Sequence, residues 1–198
     1  MTDRLHFTGD DEADRLLVSS PLALLIGFAL DQQVPVQKAF VAPHELKRRL
    51  GTLDAREIAA VDSGALAAMF SQRPALHRFP GAMAGRVHAL ADVIARDYDG
   101  DAARLWTDAA DGRDLERRIA ALPGFGPMKV RALIAVRAKR LGLDLPGLRV
   151  VMPDHPTLGD VDSAEALADY QAAKRAHNAA SRAAAQTGVM RAPRPRPG

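Results

Sequence analysis

Helix-starting signals recur along this chain at short intervals and leave little room for any other element. Ser20-Pro21 sets a capping hydroxyl before a proline, ahead of the apolar run LALLIGFALDQQ. Serine suits the N-cap, and the fixed φ of proline suits the first helical position. Pro43 stands before HELKRRL, which Gly51 closes, while Asp54, Ser63 and Asp101 each precede an alanine-rich stretch. After Pro80-Gly81, residues Met83, Val87, Leu90 and Ile94 recur with helical spacing and share one face. Two basic amphipathic helices are predicted over 113–122 and 127–141. A Pro/Gly-rich stretch separates the second from a last helix that begins after Ser163. Only 5% of residues are aromatic and β-branched runs are short. The only strand candidates lie at 5–8 and 148–152. The pattern predicts an all-α bundle with short connections and no internal repeat.

Length and charge narrow the class. The 198 residues match one domain or two small lobes. There is no cysteine, which excludes disulfides, thiol catalysis, a Cys-ligated zinc site and an iron–sulfur cluster. The first residues are acidic and lack an apolar signal core. The longest apolar stretch, Pro21–Leu30, is far short of the ~20 residues of a membrane helix. A soluble cytoplasmic protein is expected. Residues 101–198 carry 16 Lys/Arg against 11 Asp/Glu, and 113–140 alone carry 8 against 2. That local excess reads either as a phosphate footprint or as a solvated helix face. The Pro/Arg-rich segment 186–198 reads as a disordered basic arm.

The most informative segment is LERRIAALPGFGPMKVRA, residues 115–132. Two amphipathic helices flank Leu122, Pro123, Gly124, Phe125 and Gly126. The glycines allow a tight turn that leaves backbone N–H groups uncovered. Pro127 opens the second helix, whose positive dipole end then faces outward and suits an anion. A K+ or Na+ ion on the carbonyls of Leu122 and Gly124 could bridge to a phosphate. Met128, Lys129 and Arg131 follow on the same helix, and Phe125 reads as a plug between the helices. Amides read no bases, so such a contact would be sequence-independent and salt-sensitive.

This L-P-G-F-G hairpin resembles that of the helix–hairpin–helix DNA glycosylases, the HhH-GPD superfamily of base-excision repair. Leu30-Asp31-Gln32-Gln33-Val34, ending an apolar helix, resembles the L-S-Q-Q-T/V motif of the same family. The resemblance covers roughly residues 16–145 and is closest to a cysteine-free bacterial subgroup. It implies a two-lobed helical bundle with the helix–hairpin–helix at 113–141. The barrel would span about 20–142, and a smaller lobe would combine 1–19 with 143–185. It further implies that Gln33 fills the space left by a flipped base while Gln32 shapes the loop. A long amide can both fill such a hole and hydrogen-bond the orphaned partner. The implied partner is double-stranded DNA with a damaged base, bound by a monomer at the nucleoid without a membrane.

The catalytic positions depart from the family pattern. Met128 stands where bifunctional members carry a lysine. Lys129, about 100° further round the helix, is expected to face away from the pocket. The resemblance then implies a monofunctional N-glycosylase without lyase activity; the alternative is a binding module of the same fold that has lost its chemistry. The family's catalytic aspartate falls in a window near Pro146-Gly147-Leu148 that holds none. Asp154, Asp31 and Asp144 are the candidate carboxylates. His44, His77, His88, His155 and His177 lack metal-ligand spacing, although His77 could lie near the pocket mouth. Trp106 has core spacing.

Overall fold

The structure is a computed structural model that describes residues 2–189. Among the described residues it is all helical. In chain order the helices are α1 Asp11–Ser19, α2 Pro21–Leu30, α3 Val36–Leu50, α4 Ala55–Ala60, α5 Ser63–Ser71 and α6 Pro80–Asp97. There follow α7 Arg104–Thr107, α8 Gly112–Ala120, α9 Pro127–Lys139, α10 Leu148–Val151, a 3-10 turn at Leu158–Asp160, and α11 Ala164–Val189. Neither strand candidate forms a strand. Residues 148–151 make one helical turn. Residues 5–8 have no partner strand, so the amides of Phe7 and Thr8 instead bond the buried Asp14 carboxylate at 3.0 and 3.1 Å. Burial raises the pKa of that carboxyl, against the lowering effect of those bonds.

The most apolar helix, α2, is the axle. Every residue from Leu22 to Leu30 is buried. α1, α3 and α6 pack on it, while α4 and α5 lie against α6. The helix expected to begin after Pro43 starts at Val36 and runs through the proline. Pro43 removes one backbone donor, but buried Val36, Ala39 and Phe40 anchor the turns before it. Met83, Val87, Leu90 and Ile94 all point inward, as their spacing requires.

One hydrophobic cluster extends from Leu5 to Leu167. α1 packs on α2 and α3, whereas α10 packs on α8 and the 3-10 turn packs on α9. That turn approaches closely: a Cβ on Gly159 would sit 2.6 Å from the carbonyl carbon of Ala135. α11 continues four residues past the expected boundary at 185. The rest of the expected basic arm lies outside the described residues.

Candidate functional site

The hairpin is a turn of the type II pattern. Pro123 takes its second position and Gly124, with φ +86°, its third. Phe125 N–H closes it on the Leu122 carbonyl at 3.2 Å. Only Gly124 needs to be glycine for its conformation, and a Cβ there would also strike Arg86 Cδ at 2.6 Å. Gly126 does not have that need: its backbone is extended (φ −83°, ψ 169°) and a Cβ would meet open space. What Gly126 supplies is the absence of a cap. α9 begins with no side-chain hydrogen bond to its first turn. The N–H groups of Gly124, Gly126, Met128 and Lys129 donate to nothing among the described residues. Phe125 is buried with Leu122 in the core. Met128 lies outward at 80% exposure.

Beside these amides lies an open cleft of about 480 Å³, lined by Gln32, Arg86, Leu122, Gly124, Phe125, Gly126 and Lys129. Three chain segments distant in sequence meet here. α2 delivers the Gln loop, α6 delivers Arg86, and α9 delivers Lys129. The Arg86 guanidinium donates to Gln32 Oε1 and packs over Gly124, so it straps the Gln loop to the hairpin. Gln33 is exposed, with φ +57°. Below the loop, His77 is 1% exposed. Its Nδ1 accepts the Phe79 N–H at 3.1 Å, which requires the other nitrogen to carry the proton. That Nε2–H donates to the Gln32 carbonyl at 3.0 Å. Burial lowers the pKa of His77; the hydrogen bond to the Gln32 carbonyl opposes that shift, and Lys38 and Arg78 add to it. Phe79 itself stands 42% exposed, with Arg78 over its ring at 4.7 Å.

Lys129 corrects the expectation that it faces away. Its stem runs along the inner edge of α9, and its Nζ donates to the Ala29 carbonyl at 3.2 Å, at the end of α2. Burial lowers its pKa to about 8; Asp31 opposes that shift, and Arg86 and Lys174 add to it. The amine is expected to titrate near pH 8, readable from the ζ-nitrogen shift by NMR. A midpoint close to the ordinary 10.5 would place the side chain in open water instead. Between those pH values the unfolded chain holds a proton that the native one has released. Stability therefore rises with pH across that window and is flat below it.

Of the candidate carboxylates, only Asp31 reaches this neighbourhood. It follows α2 as its C-cap, its charge acts on Lys129, and it adds to the raising of the Tyr170 pKa that burial causes. Asp154 does not line the cleft. Its side chain is fully in solvent, 3.3 Å from His155, and that contact lowers its pKa. Asp144 is exposed on the connection after α9 and does not line the cleft.

Four of the eight cations over 113–140 are held in ion pairs. Arg117 and Arg118 bind Asp114, Arg131 lies 3.8 Å from Glu116, and Lys139 binds Asp160. Arg137 stacks on the buried Trp106 ring at 4.1 Å, where burial lowers its pKa to about 10. The cations aimed at the cleft are Lys129 and Arg86, and Arg86 carries no sequence signal that singles it out. Two hard backbone oxygens are available for a monovalent ion. Gly124 C=O accepts no backbone hydrogen bond among the described residues, while Leu122 C=O also closes the turn. That donor set fits K+ or Na+ held with water. Among the described residues, no single helix is long and apolar enough to cross a membrane. Comparison with protein-family models, curated proteins and solved structures finds no match for this chain.

Proposed function

We propose that this chain is a base-excision DNA-repair protein of the HhH-GPD type, a monofunctional DNA N-glycosylase. It would grip duplex DNA by its hairpin and turn a damaged base out of the stack. The observation that supports this most is the uncapped start of α9 beside the cleft, with four free amides and Lys129 converging there. A phosphate oxygen suits such donors, and the helix dipole favours its charge. The contact carries no sequence information, as a protein scanning for damage requires. Exposed Gln33, next to the cleft-lining Gln32, supplies a side chain to fill the gap left by an extruded base. Asp31 is the carboxylate for activating water or stabilising the positive sugar as the base departs.

On this reading a K+ or Na+ ion at Leu122 and Gly124 steadies the turn against phosphate. The partner is double-stranded DNA carrying a damaged base. The protein works as a cytoplasmic, nucleoid-associated monomer away from membranes. A second reading has one observation in its favour. The orientation of Lys129 and its lowered pKa give the cleft an amine that can attack the sugar directly, which would add lyase chemistry.

Two assays on the intact protein test the proposal. Duplex affinity should fall with salt at a log–log slope of about −0.9 per phosphate neutralised. Absent or salt-insensitive binding would contradict it. Duplexes carrying uracil, alkylated or oxidised bases should lose the base, revealed by chemical cleavage of the abasic site. Tight binding without release would make the chain a damaged-DNA-binding module of the same fold. A borohydride-trapped adduct that vanishes in Lys129→Ala would assign the attack to Lys129 rather than water.

A further inference from the structure

The last helix is anchored only near its start. Leu167 is buried, and Ala166 and Tyr170 pack against the core. One residue on, the Gln171 side-chain amide donates to Gln37 Oε1 at 2.8 Å. Gln37 stands in the first turn of α3, four residues past Gln33. Lys174 is close enough to the cleft for its charge to act on Lys129. α11 therefore leaves the body beside the Gln loop and the cleft. Residues 172–176 are all exposed, and the helix runs on to Val189. That is about 27 Å of helix beyond Gln171. Its alanines favour the helical state without needing a buried face.

This segment also carries the charge that the rest of the chain lacks. Residues 170–198 hold six Lys/Arg and no Asp or Glu, whereas residues 1–169 hold 21 against 24. The preceding residues taken alone are thus net acidic, which opposes the approach of a polyanion. No acid stands three or four residues from Lys174 or Arg175, so neither is neutralised by a pair along its own helix. The partner that Lys174 does have, the Tyr170 ring at 5.9 Å, leaves its charge in place. Building on the repair reading, we propose that α11 from Lys174 onward is a second grip on duplex DNA, lying along the phosphate backbone on the Gln-loop side of the cleft. The hairpin holds one stretch of backbone and Lys174, Arg175 and the cations that follow hold another. Two separated grips brace a duplex while a base is turned out between them, and neither reads sequence.

The test compares the full-length wild type with Lys174→Gln/Arg175→Gln. Glutamine keeps helix propensity and removes only charge. A control, Lys47→Gln/Arg48→Gln, removes the same formal charge from exposed positions in the last turn of α3. Those positions lie about 15 Å along that helix from Gln37, beyond the screening length at about 0.15 M salt. Duplex affinity is measured by anisotropy across a salt series, and the amides of Gly124 and Gly126 are followed by NMR. The α11 variant should show a log–log salt slope shallower by about 0.9 for each cation that meets a phosphate. Its affinity at about 0.15 M salt should be lower by tenfold or more. The two hairpin amides should still shift on saturation, and the control should match the wild type. Equal losses in variant and control would reduce the effect to net charge and overturn the inference. Wild-type slope and affinity in the α11 variant would assign those cations to another acidic partner, and would overturn the inference while leaving the repair reading standing. Absent or salt-insensitive binding by the wild type would overturn the repair reading, and this inference with it.

Discussion

Gly126→Asp should abolish duplex binding while the protein stays folded and gains slightly in stability. Gly126 is the N-cap of α9, its backbone is already extended, and a Cβ there meets nothing within 4 Å. Aspartate is among the best N-cap residues, and its carboxylate would accept the amides that now lie bare. The cap and the helix dipole together should add about 0.3–1 kcal/mol. The same carboxylate would occupy the place proposed for a phosphate and repel the next one. Affinity should fall by about 100-fold or more, because contacts to charged partners are lost and a like charge is introduced. Gly126→Ser would cap the helix without the charge and should show a smaller loss. Thermal unfolding and fluorescence anisotropy on the same samples separate the two effects. Full binding by Gly126→Asp would remove the hairpin from the account.

His77→Ala should be the most destabilising change at the site. The ring is buried and satisfies two backbone groups, the Gln32 carbonyl and the Phe79 amide. Removing it strands both and leaves a cavity, at a cost of about 3 kcal/mol. For a chain of this size that corresponds to a loss of roughly 6–12 °C in melting temperature. The Gln loop would lose its anchor, so damaged-duplex affinity should fall as well. His77→Gln keeps a donor for the Gln32 carbonyl and should recover part of both losses.

The same histidine gives the wild type a pH dependence of definite sign. Burial lowers its pKa below the ordinary 6.5. As pH falls below 6.5 the unfolded chain takes up a proton that the native ring still refuses. Stability is therefore full above that value and declines below it, until the native ring protonates too. His77→Gln should remove this share of the acid sensitivity. Parallel pH profiles for wild type and variant would contradict the assigned role.

The hairpin, the helix faces and the Gln loop were legible because each is written in contiguous residues. Pro123 and Gly124 specify a turn by themselves, and the spacing of Met83 to Ile94 specifies a buried face. The cleft was less legible, because it is made by tertiary meeting of distant segments. Arg86 matters only because α6 carries it over Gly124 and toward Gln32, and no local pattern encodes that. Lys129 was misplaced for a different reason. The resemblance of the hairpin leads one to expect the second residue after Gly126 inward, but here Met128 faces water and the third residue turns in. A long lysine stem can follow an apolar edge and still deliver its amine to a helix C-terminus. The basic count over 113–140 overstated the free cations, since Asp114, Glu116 and Asp160 engage four of the eight in ion pairs.

The central claim is that bare amides at the start of α9 meet a nucleic-acid backbone. The most direct measurement is an amide NMR titration of the full chain with a short duplex carrying an abasic analogue. The account predicts that Gly124, Gly126, Met128 and Lys129 move first and furthest, with Gln32 and Gln33 following, and that added salt reverses the change. Stationary hairpin amides, with the shifts centred on another surface, would contradict it.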